Sequence, residues 1–231
     1  LQTLWREVMS VCRAMEEPVK VAYLGPAGTY TEQAMFKQFG HAIVGVDCVT
    51  IDDIFHAVEA DGATFGVVPI ENSIEGAINR TMDLLLNAPL RICAEVSLGI
   101  RHSLMHRTGD MAQVTTIVAH PQALAQCYGW LKQHYPNIEQ KPVSSNAQGA
   151  RMAQESDAIA CIAGDSAAMM YELQKVAVGI QDDANNRTRF VVLGKQVCSP
   201  SPADKTSLIL AAPNKAGSVL ELIERVASIG G

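Results

Sequence analysis

Residues 65–73 read Phe-Gly-Val-Val-Pro-Ile-Glu-Asn-Ser, an apolar run that ends in three polar side chains. The apolar part, 65–70, predicts a short buried strand, and 71–73 predict the loop that follows it. Strands of this kind alternate with amphipathic helices along most of the chain, with short loops between them. This alternation predicts an α/β fold with mostly parallel sheets.

The other predicted elements extend this alternation in both directions. Further strands are expected at 19–24, 42–49, 91–105, 115–119, 158–163 and 190–193. Helices are expected at 31–39, 51–60, 74–87, 121–134, 145–153 and 166–173. Residues 1–17 have apolar side chains at helical spacing and predict a helix that ends at Pro18. After a proline-containing linker, 197–205, one strand at 206–212 and one helix at 216–228 are expected, which cannot bury both of their apolar faces alone.

The composition limits the classes of function. Of the 231 residues, 48 % are hydrophobic and 18 % are charged, and the net charge is −6. Lysine and arginine occur singly, so no basic run exists to follow a phosphate backbone, and nucleic acid is not expected as a partner. The longest stretch without a charged residue, 111–131, contains a histidine, a proline and several polar residues, and it predicts no membrane span.

No metal site and no disulfide framework are predicted. The six cysteines lie far apart and form no Cys-x-x-Cys pair, so reduced thiols in a cytoplasmic protein are expected. His102 and His106 are four residues apart, yet arginines flank them in a segment that is predicted to be extended. Since no carboxylate lies nearby in sequence to complete a site, metal binding is not expected there.

Two segments place polar groups at boundaries between strands and helices, where ligands often bind. Residues 25–31, Gly-Pro-Ala-Gly-Thr-Tyr-Thr, join a strand to a helix, and a helix N-terminus beside two glycines suits a carboxylate or a phosphate. A tight turn with a threonine cap explains the same residues equally well. Glu71, Asn72 and Ser73 follow a strand end, where open α/β sheets place ligands, with an ordinary helix cap as the alternative.

Three further segments carry candidate binding residues. Gln122 and Gln126 lie four residues apart on one face of a predicted helix, where they either bind a ligand or face solvent. Ser145 precedes another helix and either binds a ligand or caps that helix. Residues 185–190, Asn-Asn-Arg-Thr-Arg-Phe, lead into a strand, and an arginine beside a threonine is of interest if the ligand is an anion.

Taken together and in this order, the motifs resemble those of prephenate dehydratases. The matching stretches are 24–30, 68–73 with 76–79, 120–127 and 186–190. The resemblance implies a two-lobed fold similar to that of periplasmic binding proteins, with the substrate in the cleft between the lobes. It places the dehydratase domain at 18–196, with lobe 1 at about 19–100 and 184–196 and lobe 2 at about 101–183.

The two ends of the chain resemble parts of other domains. Residues 1–17 are similar to the last helix of the chorismate mutase domain in bacterial bifunctional enzymes. Residues 206–231 are similar to the first strand and helix of an ACT regulatory domain, which is expected to be incomplete. The resemblance therefore implies neither mutase activity nor a response to phenylalanine for this chain.

The family's activity is the decarboxylative dehydration of prephenate to phenylpyruvate in L-phenylalanine biosynthesis, a carbon–oxygen lyase reaction. Its catalytic threonine falls on Thr188, which would donate a hydrogen bond to the departing oxygen. Glu71 is the alternative acid, provided that burial raises its pKa. The residues expected to contact the substrate are Gly28, Thr29, Tyr30, Asn72, Ser73, Gln122, Gln126, Ser145, Arg189 and Phe190.

Two alternative functions stay open at this point. An arogenate dehydratase differs in acting on a substrate with an amine in place of the ketone. A two-lobed binding protein would hold an aromatic or carboxylate ligand without reacting it. No metal ion and no organic cofactor are expected, and the expected partners are prephenate and further copies of the chain, in a homodimer or a larger homo-oligomer.

Overall fold

The computed structural model describes residues 1–200 and 204–228 of the chain. The chain divides into two compact units, Leu1–Val197 and Cys198–Gly231. Residues 201–203 of the expected linker and residues 229–231 of the expected ACT segment lie outside the described residues.

The secondary structure alternates between strands and helices, as the sequence predicts. The strands are β1 (Lys20–Leu24), β2 (Val44–Cys48), β3 (Phe65–Asn72), β4 (Gly76–Ala77), β5 (Arg91–Gly99), β6 (Ser103–His106), β7 (Thr116–Ala119), β8 (Glu139–Pro142), β9 (Ile159–Ala163), β10 (Gln174–Val178) and β11 (Arg187–Gly194). The helices are α1 (Gln2–Glu16), α2 (Tyr30–Phe39), α3 (Ile51–Glu59), α4 (Asn79–Asn87), α5 (Pro121–Gln126), α6 (Tyr128–His134), α7 (Asn146–Glu155), α8 (Asp165–Met170) and α9 (Ser218–Ser228).

The first sheet has the strand order β2-β1-β3-β11-β5, and the short strand β4 pairs with β3. Strand β1 runs parallel to β2 and β3, whereas β11 runs antiparallel to both β3 and β5. The prediction of mostly parallel sheets is therefore correct for only part of this sheet. The reason is topological, because β11 comes back from the second sheet and enters the first in the opposite direction.

The second sheet has the strand order β10-β6-β9-β7-β8. The chain passes from the first sheet to the second between β5 and β6 and returns between β10 and β11. Backbone hydrogen bonds tie these two passages together: Ile100 N donates to Asn186 O at 2.8 Å, and Ile180 N donates to His102 O at 3.0 Å. The result is the expected two-lobed fold, with the lobes joined by two adjacent chain segments.

Several predicted elements differ in the structure. The strand predicted at 91–105 divides into β5 and β6, which belong to different sheets, and the helix predicted at 121–134 divides into α5 and α6. Strand β3 continues through Asn72, where the sequence predicts a loop, because β11 pairs with it up to that residue. The helix predicted at 74–87 begins at Asn79, since 76–77 pair with β3 instead. The strand predicted at 206–212 is wrong: these residues are exposed, and the described part of the smaller unit offers them no partner strand.

Each sheet carries apolar clusters on both of its faces. In lobe 1, Ile54 and Val68 belong to the cluster beneath α3 and α4, whereas Met35 and Phe190 belong to the cluster beneath α2. In lobe 2, one cluster lies beneath α5 and α6 and another beneath α7 and α8. Phe190, which the sequence places at the substrate, is 2 % exposed and packs in the core, where burial of such a ring contributes about 1.5–3 kcal/mol.

Helix α1 packs on lobe 1 through polar side chains. Ser10 Oγ accepts a hydrogen bond from Ala42 N at 3.1 Å, and Glu7 Oε2 accepts one from His41 N at 3.1 Å. Gly40 has a φ of +79°, and a Cβ atom there would lie 2.7 Å from Ser10 Cβ, so glycine is required at this contact. None of the described helices is both long and apolar enough to cross a membrane.

Candidate active site

Asn72 and Thr188 form a cross-strand pair between the end of β3 and the start of β11. Asn72 is 5 % exposed, and its Nδ2 donates a hydrogen bond to Thr188 Oγ1 at 2.9 Å. Antiparallel pairing brings these two side chains together although 116 residues separate them in sequence. Because β11 has just returned from lobe 2 at this point, the pair lies at the boundary between the lobes.

Backbone groups fix the direction of the Asn72 amide. Its Oδ1 accepts hydrogen bonds from the backbone nitrogens of Ile74 at 3.0 Å and Glu75 at 3.2 Å. A backbone N–H can only donate, so the oxygen must face these groups and Nδ2 must face the other way. There Nδ2 donates to Asn186 Oδ1 at 3.0 Å as well as to Thr188. The Thr188 oxygen therefore acts as an acceptor, which leaves its hydrogen to be donated to a ligand.

The same hydrogen-bond network continues into lobe 2. Asn186 Nδ2 donates to Gln126 Oε1 at 3.0 Å, and His102 Nε2 lies 2.8 Å from the same oxygen. Gln126 Nε2 is buried and has no hydrogen-bond partner among the described residues. A buried amide without a partner costs about 1–3 kcal/mol, and a ligand that carries an acceptor would satisfy it.

A cavity of about 300 Å³ lies beside this network, between the loop after β3, helix α5 and the return segment before β11. Its lining residues are Ile74, Glu75, Gln122, Ala125, Gln126, Gln181, Asp182, Asp183 and Asn186. This volume is at the lower end of the range for small-molecule sites. Both lobes contribute to the lining, so the cavity lies in the cleft between them, beside Asn72 and Thr188, which do not line it.

Tyr30, at the start of α2, reaches the network from the side of lobe 1. Its hydroxyl lies 2.6 Å from Arg101 O and 3.3 Å from His102 Nδ1, and the two rings meet edge to face. Burial raises the pKa of Tyr30 well above its ordinary value, so its phenol stays protonated. Burial also lowers the pKa of His102, against a smaller opposite effect of its hydrogen bond to Gln126, so its imidazole is neutral at neutral pH.

The sequence of residues 21–197 matches the family described as prephenate dehydratase. The chain belongs to the prephenate dehydratase family. It is 48 % identical over 230 residues to the bifunctional chorismate mutase/prephenate dehydratase of Neisseria gonorrhoeae, a match that covers 98 % of this chain and 64 % of that protein. The chain thus spans less than two thirds of the length of this bifunctional relative.

The comparison extends to a relative that is named only as a prephenate dehydratase and to a solved structure. The chain is 37 % identical over 219 residues to the prephenate dehydratase of Mycobacterium ulcerans, which covers 88 % of this chain and 69 % of that protein. It superposes with a TM-score of 0.78 on the prephenate dehydratase of Arthrobacter aurescens in complex with L-Phe, at 30 % identity. That superposition covers 91 % of this chain and 72 % of the other.

The glycine-containing loop that resembles the dehydratase motif is engaged within the chain. Gly28 N donates to Glu32 Oε2 at 2.7 Å, and Thr29 Oγ1 accepts from Glu32 N at 3.3 Å. The Glu32 carboxylate thus occupies the position at the helix N-terminus where the sequence predicts a bound anion. Gly28 also faces lobe 2, since a Cβ atom there would lie 3.6 Å from Ala147 Cβ, and Ser166 Oγ donates to Gly28 O at 3.1 Å.

Glu71 and Arg189, which the family resemblance places at the site, form an ion pair. Arg189 Nη2 lies 2.9 Å from Glu71 Oε2, and Nη1 lies 3.5 Å from Glu95 Oε2. The two residues oppose each other one register step from Asn72 and Thr188, so strand alternation directs them to the opposite face of the sheet. The role of Glu71 as the acid requires a buried carboxyl group. The Glu71 side chain is 48 % exposed, so this requirement is not met.

Of the remaining residues that the resemblance assigns to the substrate, one lines the cavity and two make hydrogen bonds to backbone groups. Gln122 lines the cavity together with Gln126. Ser73 Oγ accepts from Arg187 N at 2.9 Å beside the cleft, and Ser145 Oγ caps α7 by accepting from Gln148 N at 3.0 Å. The structure thus brings Asn72, Thr188, Gln122 and Gln126 together at the boundary between the lobes.

Two members of the network are absent from the predicted site. Asn186 belongs to the dehydratase motif at 186–190, so a signal for it existed in the sequence. For His102 the sequence raises only the question of metal binding, and its neighbours in sequence carry no sign that it meets Gln126. The described residues contain no cluster of His, Cys, Asp and Glu side chains that could hold a metal ion.

Proposed function

We propose that this chain is a carbon–oxygen lyase that converts prephenate to phenylpyruvate in L-phenylalanine biosynthesis. The observation that carries the proposal is the Thr188 hydroxyl, whose oxygen accepts from Asn72 and whose hydrogen is therefore directed to a ligand. Membership of the prephenate dehydratase family supports it. The cavity at the boundary of the lobes has room for a small acid, and Gln122 and Gln126 in its lining can donate to carboxylates.

In the proposed reaction, the ring carboxylate leaves as carbon dioxide and its bonding electrons enter the ring. The ring then expels its hydroxyl group, and the product is aromatic. Thr188 donates a hydrogen bond to the departing oxygen, which leaves as hydroxide and takes a proton from solvent to become water. The loss of one carbon dioxide and one hydroxide from the prephenate dianion leaves phenylpyruvate with one negative charge, so atoms and charges balance.

The other residues of the network hold the substrate in this proposal. Gln126 Nε2 and Gln122 donate to the carboxylate groups of the substrate. Asn72 donates to Thr188 Oγ1, so the Thr188 hydroxyl uses its proton for the substrate. Orientation of this kind supplies a large part of catalysis when aromatisation drives the reaction. Tyr30 acts through its contact with His102. Gly28, Thr29 and Ser145 shape the lobes around the site.

The experiment that tests the proposal is a direct assay with prephenate. The full chain is mixed with prephenate, and phenylpyruvate is followed by the absorbance of its enolate in base. Formation of phenylpyruvate at a rate proportional to enzyme concentration is the expected result. Binding of prephenate without turnover, measured by calorimetry, would contradict the proposal and favour a binding protein.

Arogenate is assayed beside prephenate as a second substrate. The carboxylates of Glu75 and Asp183 line the cavity, and a carboxylate favours the ammonium group that arogenate carries in place of the ketone. Release of phenylalanine from arogenate at a higher kcat/KM than release of phenylpyruvate from prephenate would assign the chain to arogenate instead.

We further infer that the protein works in the cytoplasm as a homo-oligomer. The apolar surroundings of buried Cys127 and Cys161 support reduced thiols, as a cytoplasmic protein has. Exposed Val219, Leu220 and Ile223 on α9 support association with a further copy. The mass of the particle in solution, measured by light scattering, tests the second point, and a strictly monomeric particle would contradict it.

A further inference from the structure

The direction of the Gln126 amide decides what the cleft offers to a ligand. A glutamine amide can rotate by half a turn and exchange its oxygen for its nitrogen at almost no covalent cost. With Oε1 in the network, Nε2 is the group without a partner among the described residues. With the amide reversed, Oε1 would take the position of Nε2, and Gln126 would offer there an acceptor, which repels a carboxylate.

Two donors hold Oε1 in the network. One is Asn186 Nδ2, whose direction is set by Asn72 and, through it, by the backbone nitrogens of Ile74 and Glu75. The other is His102 Nε2, which lies closer, at 2.8 Å against 3.0 Å. An imidazole can carry its proton on either nitrogen, so this second contact is attractive only when the proton is on Nε2.

The surroundings of His102 hold the ring in place. Its side chain is 2 % exposed, its backbone nitrogen donates to Gln181 Oε1 at 3.0 Å, and its carbonyl accepts from Ile180 N at 3.0 Å. On the other side of the ring, the Tyr30 hydroxyl lies 3.3 Å from Nδ1, but it donates its one proton to Arg101 O at 2.6 Å and offers no donor to the ring. The Gln126 oxygen, which Asn186 holds in place, can only accept, so the close contact at Nε2 requires the Nε2–H tautomer.

We propose that His102 is a positioning residue, which as the neutral Nε2–H tautomer holds Gln126 Oε1 and so aims Gln126 Nε2 at the substrate. The proposal rests on the proposed dehydratase function for its kinetic consequence, although the tautomer is a property of the protein alone. His102 has no contact with the reacting atoms in this scheme and acts through Gln126.

Nitrogen NMR of the full chain with labelled histidine tests the tautomer without any activity measurement. We expect the His102 signals at pH 7.5 to show a protonated Nε2 and an unprotonated Nδ1. His106 is an internal reference, because its Nε2 faces Asp157 O at 3.1 Å and must also carry the proton. The His102→Gln variant assigns the signals, and a proton found on Nδ1 of His102 would overturn the proposal.

Kinetics of two His102 variants test the consequence for turnover. His102→Leu removes the donor, and we expect kcat/KM for prephenate to fall by about fivefold or more. His102→Gln presents an amide N–H at a similar reach, and we expect it to stay within about threefold of wild type. The matched control is His106→Leu, an equally buried histidine of the same lobe, which we expect to lower thermal stability while kcat/KM is unchanged.

A double-mutant cycle with Gln126 separates positioning from general support of the fold. In the Gln126→Ala background, His102→Leu is expected to change kcat/KM by less than about twofold, because the amide that it would aim is gone. An equal loss in both backgrounds would overturn the proposal, as would a wild-type kcat/KM in His102→Leu. If the wild-type chain leaves prephenate unchanged, the proposed function fails, and the NMR result alone then decides the positioning claim.

Discussion

Two cross-strand pairs on β3 and β11 lie one register step apart and have opposite surroundings. Asn72 and Thr188 are joined by a neutral hydrogen bond within a network that reaches into lobe 2. Glu71 and Arg189 form an exposed ion pair with no contact to that network in the described residues. The motifs of the family contain all four residues, yet only the first pair faces the boundary between the lobes.

The difference shows that the face of the strand, and not formal charge, decides which pair can act on a substrate. A hydrogen bond within a buried network is strengthened by the low local dielectric, and each unpaired member is costly. An ion pair that is about half exposed contributes only about 0–1 kcal/mol, because water and salt screen it. The neutral pair should therefore be the more sensitive of the two to substitution.

The largest effect is expected from Thr188→Val, which keeps the shape of the side chain and removes its hydroxyl. Without a donor for the departing oxygen, kcat for prephenate should fall by about 10²–10⁴-fold. Thr188→Ser restores the hydroxyl and should recover most of the rate. Initial rates of phenylpyruvate formation measure both variants, and a Thr188→Val enzyme with more than half of the wild-type kcat would exclude Thr188 from the reaction.

The sequence predicts the Asn72–Thr188 half of the site because the motifs themselves carry those residues. Most of the strands and the helix with Gln122 and Gln126 also follow from apolar patterning, and the two-lobed fold follows from the family resemblance. What the motifs do not contain is the register between β3 and β11, which depends on pairing across more than a hundred residues. That pairing extends β3 through Asn72, and strand alternation then directs Glu71 and Arg189 to the other face.

Other differences have local causes that patterning cannot reveal. Residues 139–142, Glu-Gln-Lys-Pro, form the edge strand β8 although their composition is typical of a loop, because β7 offers its backbone groups to them. The N-terminus of α2 attracts an anion as predicted, but Glu32 of the same helix supplies it. The meeting of His102 and Gln126 depends on how α5 packs against the segment that leads into β6, and no local pattern encodes that.

A second prediction concerns the donor that Asn72 offers to Thr188, which can be exchanged for an acceptor of the same shape. Asn72→Asp keeps an oxygen for the backbone nitrogens of Ile74 and Glu75 but turns the donor to Thr188 into an acceptor. We expect kcat/KM to fall by about tenfold or more, because Thr188 must then donate to the carboxylate instead of the substrate.

The control for this substitution is Asn79→Asp, which adds the same charge at the exposed start of α4. We expect it to keep the wild-type kcat/KM. Equal losses in the two variants would mean that added negative charge, and not the direction of the network, lowers activity.

A third prediction concerns the pH dependence of stability, since the buried network contains the titratable imidazole of His102. Burial lowers the pKa of His102 in the folded state below its value of about 6.5 in the unfolded chain. As pH falls below that value, the unfolded chain binds the proton first, so the free energy of unfolding decreases. Above pH 6.5 the ring is neutral in both states and contributes no pH dependence.

Urea unfolding at pH 7.5 and pH 5.5 measures this contribution in wild type and in His102→Gln. We expect the wild type to lose more stability than the variant between the two pH values, by at most about 1.4 kcal/mol, because pH 5.5 lies about one unit below the pKa of the unfolded chain. Identical losses in the two proteins would show that other groups account for the acid sensitivity.

The smallest effects are expected at the exposed ion pair. Glu71→Gln removes one of two carboxylates beside Arg189, since Glu95 also approaches it, so the arginine keeps a partner. A double-mutant cycle of Glu71→Gln with Arg189→Gln should give a coupling of about 0.2–1 kcal/mol in the free energy of unfolding, smaller again in 1 M salt. Because the pair faces away from Thr188, Glu71→Gln should also keep kcat within about threefold of wild type. A loss of kcat beyond about tenfold with an unchanged KM would instead place Glu71 at the reacting atoms. Because Glu71 lies on the opposite face from Thr188, the ends of β3 and β11 would then have to move during turnover.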